Sequence, residues 1–246
     1  ANKNETLYYR VVKSRQDVYD IITRSFLRKR NWVELPHGMN LKTTWNLLWT
    51  WSKPEIDMTK LIVWQKVNHF PGNKALVRKD LLKANIEKIQ KLGSKAAAAF
   101  NIIPLTFFLP KEVTKFMECF YEHIEKEGPY NIWIIKPVGK SRGRGISLAN
   151  DIAQVKYSEP VVVQKYLKNP LLLDGYKFDM RIYVLVTSLT PLEVFIYKEG
   201  FARLSTSHFS LNEEDLKNLY IHLTNTSVQK YSNHADNMTS DAIIGG

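Results

Sequence analysis

Cysteine is almost missing from this chain: Cys119 is the single one in 246 residues. An internal disulfide and a zinc site built on several thiolates are therefore excluded, and a reducing compartment is the expectation. Long apolar runs are missing as well. No stretch approaches the roughly 18 residues of a membrane-crossing helix, and the N-terminal region has no apolar block of the signal-peptide kind. There is no internal repeat and no low-complexity tract, which sets repeat arrays aside. Acidic side chains are in short supply, 24 against 35 Lys and Arg, leaving a formal charge of +11. That balance favours an acidic partner (nucleic acid, an anionic membrane or an acidic protein segment), and an excess of lysine that only keeps the chain soluble accounts for it equally well. Apolar residues are plentiful at 44%, enough for a substantial core and too many for wholesale disorder. The length suits one large domain or two small ones.

Along the chain, Thr6–Val12 reads as a strand from its aromatic and β-branched residues. Val18, Ile21, Ile22, Phe26 and Leu27 follow helical spacing, with Arg28-Lys-Arg30 closing the last turn. Trp45–Trp51 reads as a strand, and four of the six tryptophans lie in 32–51, where packing is their expected role. Ser52–Thr59 looks like a linker with a domain boundary near it. His69 stands without a second ligand at helical spacing and reads as a structural histidine. Asp80 is placed to cap a helix carrying Leu82, Ile86, Ile89 and Leu92, which Ala96–Ala99 extends or follows. Phe100–Pro110 reads as a strand. Val113, Phe116, Met117, Phe120, Tyr121 and Ile124 form an apolar helical stripe ended by Gly128-Pro129. Short apolar strands follow at Ile132–Ile135, Ile146–Leu148, Val161–Val163, Ile182–Val186 and Val194–Tyr197, with Lys198-Glu-Gly200 as a tight connection into Phe201–Leu204. Helices flanking many strands give an α+β, or mixed α/β, class.

The densest chemistry lies in Tyr176-Lys-Phe-Asp-Met-Arg-Ile-Tyr-Val-Leu-Val186. As a strand it puts Lys177, Asp179 and Arg181 on one face. A strand continuing as Tyr-Val-Leu-Val is expected well inside a domain, where charge must be paired or aimed at a ligand. Upstream, Lys136-Pro-Val-Gly-Lys-Ser-Arg-Gly-Arg-Gly-Ile146 is a glycine-broken basic loop. A strand follows it, so it matches neither the dinucleotide fingerprint nor a Walker loop. What remains is a hairpin with Lys140, Arg142 and Arg144 at its tip, either a phosphate-binding loop or a solvated basic turn. Lys136, ending an apolar strand at the base of that hairpin, favours the phosphate, because a partly buried ammonium is rarely unpaired. Gln164-Lys-Tyr-Leu167 leaves the Val161–Val163 strand with backbone groups that could meet an adenine edge; an ordinary strand exit fits as well.

Together Trp133-Ile-Ile-Lys-Pro, Ser141-Arg-Gly-Arg-Gly-Ile, Gln164-Lys-Tyr-Leu-Lys-Asn-Pro-Leu-Leu, Lys177-Phe-Asp-Met-Arg-Ile-Tyr-Val-Leu-Val-Thr, Tyr197-Lys-Glu-Gly-Phe-Ala-Arg and His222-Leu-Thr-Asn closely resemble the tubulin tyrosine ligase-like family. The motifs stand in the family's order across roughly residues 60–230. The Lys-Pro and Ser-Arg-Gly-Arg-Gly-Ile wording is most similar to the polyglutamylase members. The resemblance implies an ATP-grasp fold: an N-terminal domain over 1–59, a central domain over 60–160 and a C-terminal lobe over 161–246, incomplete in this chain. It implies that Lys79, Lys136, Arg142, Gly143, Arg144, Gly145 and Ile146 surround the phosphates. Gln164, Lys165, Tyr166 and Leu167 would hold adenine, and Lys177 and Asp179 would meet the nucleoside. Arg181 would reach the γ-phosphate, Thr224 and Asn225 would complete the nucleotide site, and Arg203 would grip the incoming amino acid's carboxylate. Arg181 and Arg203 are the residues expected to act in catalysis.

The implied reaction is an ATP-dependent carboxylate–amine ligation. ATP would convert a protein glutamate into an acyl phosphate, and the amino group of free glutamate would displace phosphate to leave an amide. The implied partners are tubulin or microtubules, reached through their acidic tails, and free glutamate. The chain would be a monomer at the cytoskeleton of the cytoplasm, possible sites including a cilium or flagellar basal body. Neither nucleic acid nor a membrane is an expected partner; the aromatics do not interleave with the basic stretches. The family's metal-holding acids and its Glu-Val-Asn motif do not occur, so no metal ligand is assigned here and those for Mg²⁺ are expected beyond Gly246. The chain, starting at Ala1 and closing on Ile-Ile-Gly-Gly246, reads as a fragment. A tyrosine- or glycine-adding relative and an inactive microtubule-binding module without the metal site are the alternatives.

Overall fold

Aromatic and β-branched residues make Leu7–Val11 the first strand, β1. Helix α1, Gln16–Leu27, follows, then β2 (Trp32–Glu34), β3 (Leu47–Trp49) and β4 (Lys66–Val67). All pair in parallel in the order β2-β1-β3-β4. The computed structural model describes residues 5–12, 15–28, 31–36 and 44–232. Lys29 and Arg30, expected to close α1, lie outside them. The buried side of α1 runs through Val18, Ile22, Thr23 and Phe26, whose ring stacks on Tyr9 at 4.6 Å between centroids; Ile21 and Leu27, expected in the stripe, are exposed. Their positions lie a full helical step from the line that faces the sheet. His69 is a structural histidine, its Nε2 lying 3.1 Å from the Thr50 carbonyl oxygen.

The chain divides into two compact units, Ala1–Ala75 and Leu76–Gly246. The residues expected to link domains belong to the first. Ile56, Leu61 and Val67 pack on its Leu35–Trp45–Leu48 core, and β4 extends its sheet. A one-turn helix, α2 (Lys74–Val77), spans the division.

The second unit opens with α3 (Lys79–Gln90). Asp80 does not cap it: Arg78 holds the N-cap position, and Asp80 takes two hydrogen bonds from the Arg78 guanidinium, at 3.2 and 2.7 Å. Ile86 is buried, whereas Leu92 lies beyond the helix and is exposed. Gly93, at φ +142°, separates α3 from α4 (Ser94–Ala99). Of the expected Phe100–Pro110 strand only β5, Thr106–Leu109, forms. Helix α5, Val113–Glu127, ends as expected at Gly128, φ +54°, before Pro129. Its buried side carries Phe116 and Phe120, with Val113 and Cys119 beside them; Met117, Tyr121 and Ile124 face outward. Strands β6 (Trp133–Pro137), β7 (Ser147–Ala149) and β8 (Val161–Lys165) complete an antiparallel sheet in the order β5-β8-β6-β7. Phe116 and Phe120 meet Phe107 and the fully buried Trp133 on one face of it. Strand β8 thus sits inside the sheet of β5 and β6, although Val161 was expected to begin another lobe.

The other face carries Ile132, Ile134 and Tyr166 against Leu216 and Leu223. Those last two belong to the segment with the short helices α6 (Leu219–His222) and α7 (Thr226–Gln229). Before it come β9 (Leu172–Leu173), β10 (Tyr176–Leu189) and β11 (Leu192–His208), an antiparallel sheet in the order β11-β10-β9. Two expectations fail here. Lys198-Glu-Gly200 is not a turn: β11 runs through it, with the register shifting opposite Ile182–Val184, and the chain reverses instead at Thr190-Pro191. Nor is β10 inside the domain along its length: Tyr176–Asp179 are half-buried, but Met180 is 67% and Val184 57% exposed. Among the described residues no helix is long and apolar enough to cross a membrane.

Candidate functional site

On the α6 side of the β5-β8-β6-β7 sheet, parity decides which side chains arrive. Lys136 on β6 and Gln164 on β8 project there with Ile134, and their side chains meet: Lys136 Nζ donates to Gln164 Oε1 at 2.6 Å. The Gln164 amide then donates to Thr106 Oγ1 at 2.8 Å, and that hydroxyl to the Pro104 carbonyl at 2.6 Å. Burial, then the charge of Lys79, lowers the Lys136 pKa. Lys79, the first residue of α3, donates to the carbonyls of Pro137 (3.2 Å) and Lys140 (3.0 Å), tying that helix to the basic loop. From β10, Lys177 donates to the Tyr166 hydroxyl at 2.8 Å and the His222 carbonyl at 3.0 Å. Its pKa falls to about 8, through burial first and Lys136 second, with Asp179 opposing. Among the described residues every hydrogen bond of these three ammonium groups goes to a neutral oxygen. Burying Lys136 and Lys177 close together, with no carboxylate hydrogen-bonded to either among the described residues and only Asp179 acting at a distance, carries a cost that an anion would reduce.

The basic loop is the hairpin connection expected between β6 and β7. Arg142 (φ +61°), Gly143 (+76°) and Gly145 (+70°) take left-handed backbone, a conformation in which successive amides can turn toward an anion. Arg142, Arg144 and Gly145 are exposed; Gly143 is buried, and Ile146 packs into the core of that face. Ser227 Oγ donates to the Arg142 carbonyl at 2.8 Å, and a Cβ added at Gly143 would stand 3.3 Å from Asn225 Oδ1. Loop and α7 are therefore in contact, and Asn225, at the N-cap of α7, adjoins the loop at Gly143; Thr224 precedes it, half-buried.

Other named residues go elsewhere. Lys165 points to the opposite face, pairs with Glu127 at 3.0 Å and lies over the Trp133 ring. The backbone N–H groups of Lys165 and Tyr166 already donate to Leu105 and Ile132 carbonyls, and the Leu167 side chain is exposed. Asp179 and Arg203, directly opposite on β10 and β11, form a two-pronged ion pair that raises the Arg203 pKa. Arg181, two cross-strand pairs further out, is exposed and has no ion-pair partner among the described residues. His222, which the sequence marks only as the first residue of His-Leu-Thr-Asn, is buried beside Tyr166, and its carbonyl accepts from Lys177. Among the described residues no three His, Cys, Asp or Glu side chains are grouped to hold a metal, so the Mg²⁺ implied above finds no ligand set there.

Residues 55–243 match the family model described as the tubulin-tyrosine ligase family. The chain is 41% identical over 229 residues to mouse "Tubulin polyglutamylase TTLL5", covering 91% of this chain and 17% of that protein. Against human "Probable tubulin polyglutamylase TTLL2" the identity is 36% over 211 residues, 85% of this chain and 35% of that protein. Against Xenopus tropicalis "Tubulin polyglutamylase TTLL7" it is 34% over 234 residues, 94% and 24%. The chain thus spans only about a sixth to a third of the length of these relatives.

Proposed function

The chain belongs to the tubulin-tyrosine ligase family, and on that premise we propose that it is the nucleotide-holding part of an ATP-dependent protein–glutamate ligase acting on tubulin. The observation that supports this reading above the others is the trio Lys79, Lys136 and Lys177, three ammonium groups that among the described residues hydrogen-bond only to neutral oxygens. A triphosphate suits these residues: its charge offsets the cost of burying Lys136 and Lys177, and the left-handed loop beside them supplies backbone donors. In this reading the ATP-grasp lobes are the β5-β8-β6-β7 sheet and the β11-β10-β9 sheet with its following helices. ATP, bound with Mg²⁺, supplies the activation of a glutamate carboxylate as an acyl phosphate. The lysines hold and orient the phosphates, and Arg181, exposed and without an ion-pair partner among the described residues, is available to the transferring group. Arg203 receives the carboxylate of free glutamate by exchanging one carboxylate partner, Asp179, for another. The +11 charge draws the enzyme to acidic tubulin tails, at microtubules of the cytoskeleton and of cilia.

Calorimetric titration with ATP tests the site: Lys136→Ala should weaken binding about tenfold or more. Equal ATP affinity in the wild type and the variant would refute the assignment. For the full-length enzyme, radiolabelled glutamate, glycine and tyrosine offered in parallel with microtubules identify the added amino acid; incorporation of tyrosine or glycine alone overturns the glutamate reading.

A further inference from the structure

Beneath the lysine trio lies a chain of hydrogen bonds with one consistent arrangement of protons. Lys177 Nζ, a donor only, stands 2.8 Å from the Tyr166 hydroxyl oxygen, which must accept from it. The hydroxyl proton is then directed to His222 Nδ1, at 3.0 Å. The other ring nitrogen, Nε2, faces the Asp215 carbonyl oxygen at 3.1 Å, an acceptor only, and so carries the ring proton. Tyr166 is 5% and His222 2% exposed, their rings meet edge to face at 5.5 Å, and the Lys177 ammonium lies over the Tyr166 ring at 4.5 Å. Both side chains are buried, and the hydroxyl that receives the Lys177 ammonium is the one that His222 holds.

We propose that Tyr166 and His222 are positioning residues, a relay anchored on the Asp215 carbonyl that aims the Lys177 ammonium at an anionic ligand. The identity of the ligand rests on the nucleotide reading above; the relay does not. It requires a neutral imidazole. A proton on Nδ1 would meet a hydroxyl already receiving from Lys177 and leave the hydroxyl proton without an acceptor. Burial first, with the charge of Lys177 contributing, lowers the His222 pKa to about 4 against the opposing Asp215 carbonyl, so the ring stays neutral across the physiological range. The other charged groups facing Lys177 are Lys136 from β6 and Asp179 from β10, the latter paired with Arg203 of β11.

The test is trace acetylation of this chain with acetic anhydride from pH 6 to 10, read at Lys177 by peptide mass spectrometry. It compares the wild type with Tyr166→Phe, His222→Phe and His222→Asn; the asparagine Oδ1 stands where Nδ1 accepts. Tyr166→Phe removes the hydroxyl that accepts from the ammonium, and His222→Phe takes away the acceptor that keeps that hydroxyl's own proton turned from Lys177, so the Lys177 midpoint should fall by about half a pH unit or more in both and stay near the wild-type value in His222→Asn. Affinity for ADP, titrated separately, should weaken several-fold in the first two and recover in the third. Should His222→Phe fail to fold, Tyr166→Phe and His222→Asn still give opposite expectations. One Lys177 midpoint shared by all folded variants overturns the relay. Midpoints that move in a protein that binds no nucleotide would keep the relay and remove the nucleotide reading instead.

Discussion

Gly143 is where the basic loop meets α7, and replacing it with alanine perturbs two things that can be separated. Its φ of +76° costs a residue with a side chain about 1–2 kcal/mol. The new Cβ would also stand 2.7 Å from Val228 Cγ2, with Asn225 Oδ1 at 3.3 Å and Leu223 Cδ1 at 3.6 Å. A valine forced from its rotamer adds about 0.5–1.5 kcal/mol. The sum, about 1.5–3.5 kcal/mol, lowers the melting temperature by about 3–14 °C at the 2–4 °C per kcal/mol usual for a domain of this size. The assay is thermal unfolding of Gly143→Ala, Val228→Ala and the double variant. Trimming Val228 removes the steric part and leaves the backbone part. The double variant should therefore fall short of additivity by about 0.5–1.5 kcal/mol. If Gly143→Ala melts with the wild type, or if the two losses simply add, the loop does not rest on α7 as described and the reasoning fails.

Nucleotide affinity should decline as pH rises through about 8. Lys177 has its folded pKa lowered to that value from 10.5, so its charge is complete below it and lost above it; an affinity flat from pH 7 to 9.5 would contradict this. The same lowering makes folding stability of the ligand-free chain rise with pH between about 8 and 10.5, because there the unfolded state binds the extra proton; urea denaturation at pH 8 and 10 measures it, against Lys177→Met, where that component should vanish. Gly200→Ala would drive a Cβ to 2.5 Å from the Arg181 carbonyl oxygen, backbone that cannot step aside, and should cost about 2 kcal/mol or more. Hydrogen exchange should then accelerate around Arg181 and Ile182, and unchanged protection would show that the register differs. In the full-length enzyme, Arg203→Ala should raise the KM for the amino acid well above any change for ATP; the reverse pattern would assign Arg203 to the nucleotide.

Much of the second unit was legible because its signals are local. Gly128-Pro129 ends α5 by left-handed backbone and a missing donor, and apolar β-branched runs make β6 and β8. Lys136 could be singled out because a lysine ending an apolar strand needs a partner. What stayed hidden depends on partners distant in sequence. The stripe of α5 faces inward through Cys119 where Met117 was expected, because the sheet, not the helix, chooses the angle. Gly200 looks like a turn residue, yet glycine serves there to let two backbones approach within a bulge. In the site, strand parity alone separates Gln164 from Lys165. No local pattern announces that Asp179 would hold Arg203, or that His222 would lie beneath Tyr166.

The long ribbon of β10 and β11 has a practical consequence for anyone handling this polypeptide. Strand β11 is 17 residues long and lies at the rim of its sheet. Val194, Phe195, Ile196 and Tyr197 are exposed along it. Unpaired amides beside greasy side chains form a template on which another extended chain can add. Preparations should cloud as concentration and salt rise, since salt screens the mutual repulsion of a strongly cationic molecule that otherwise keeps such ribbons apart.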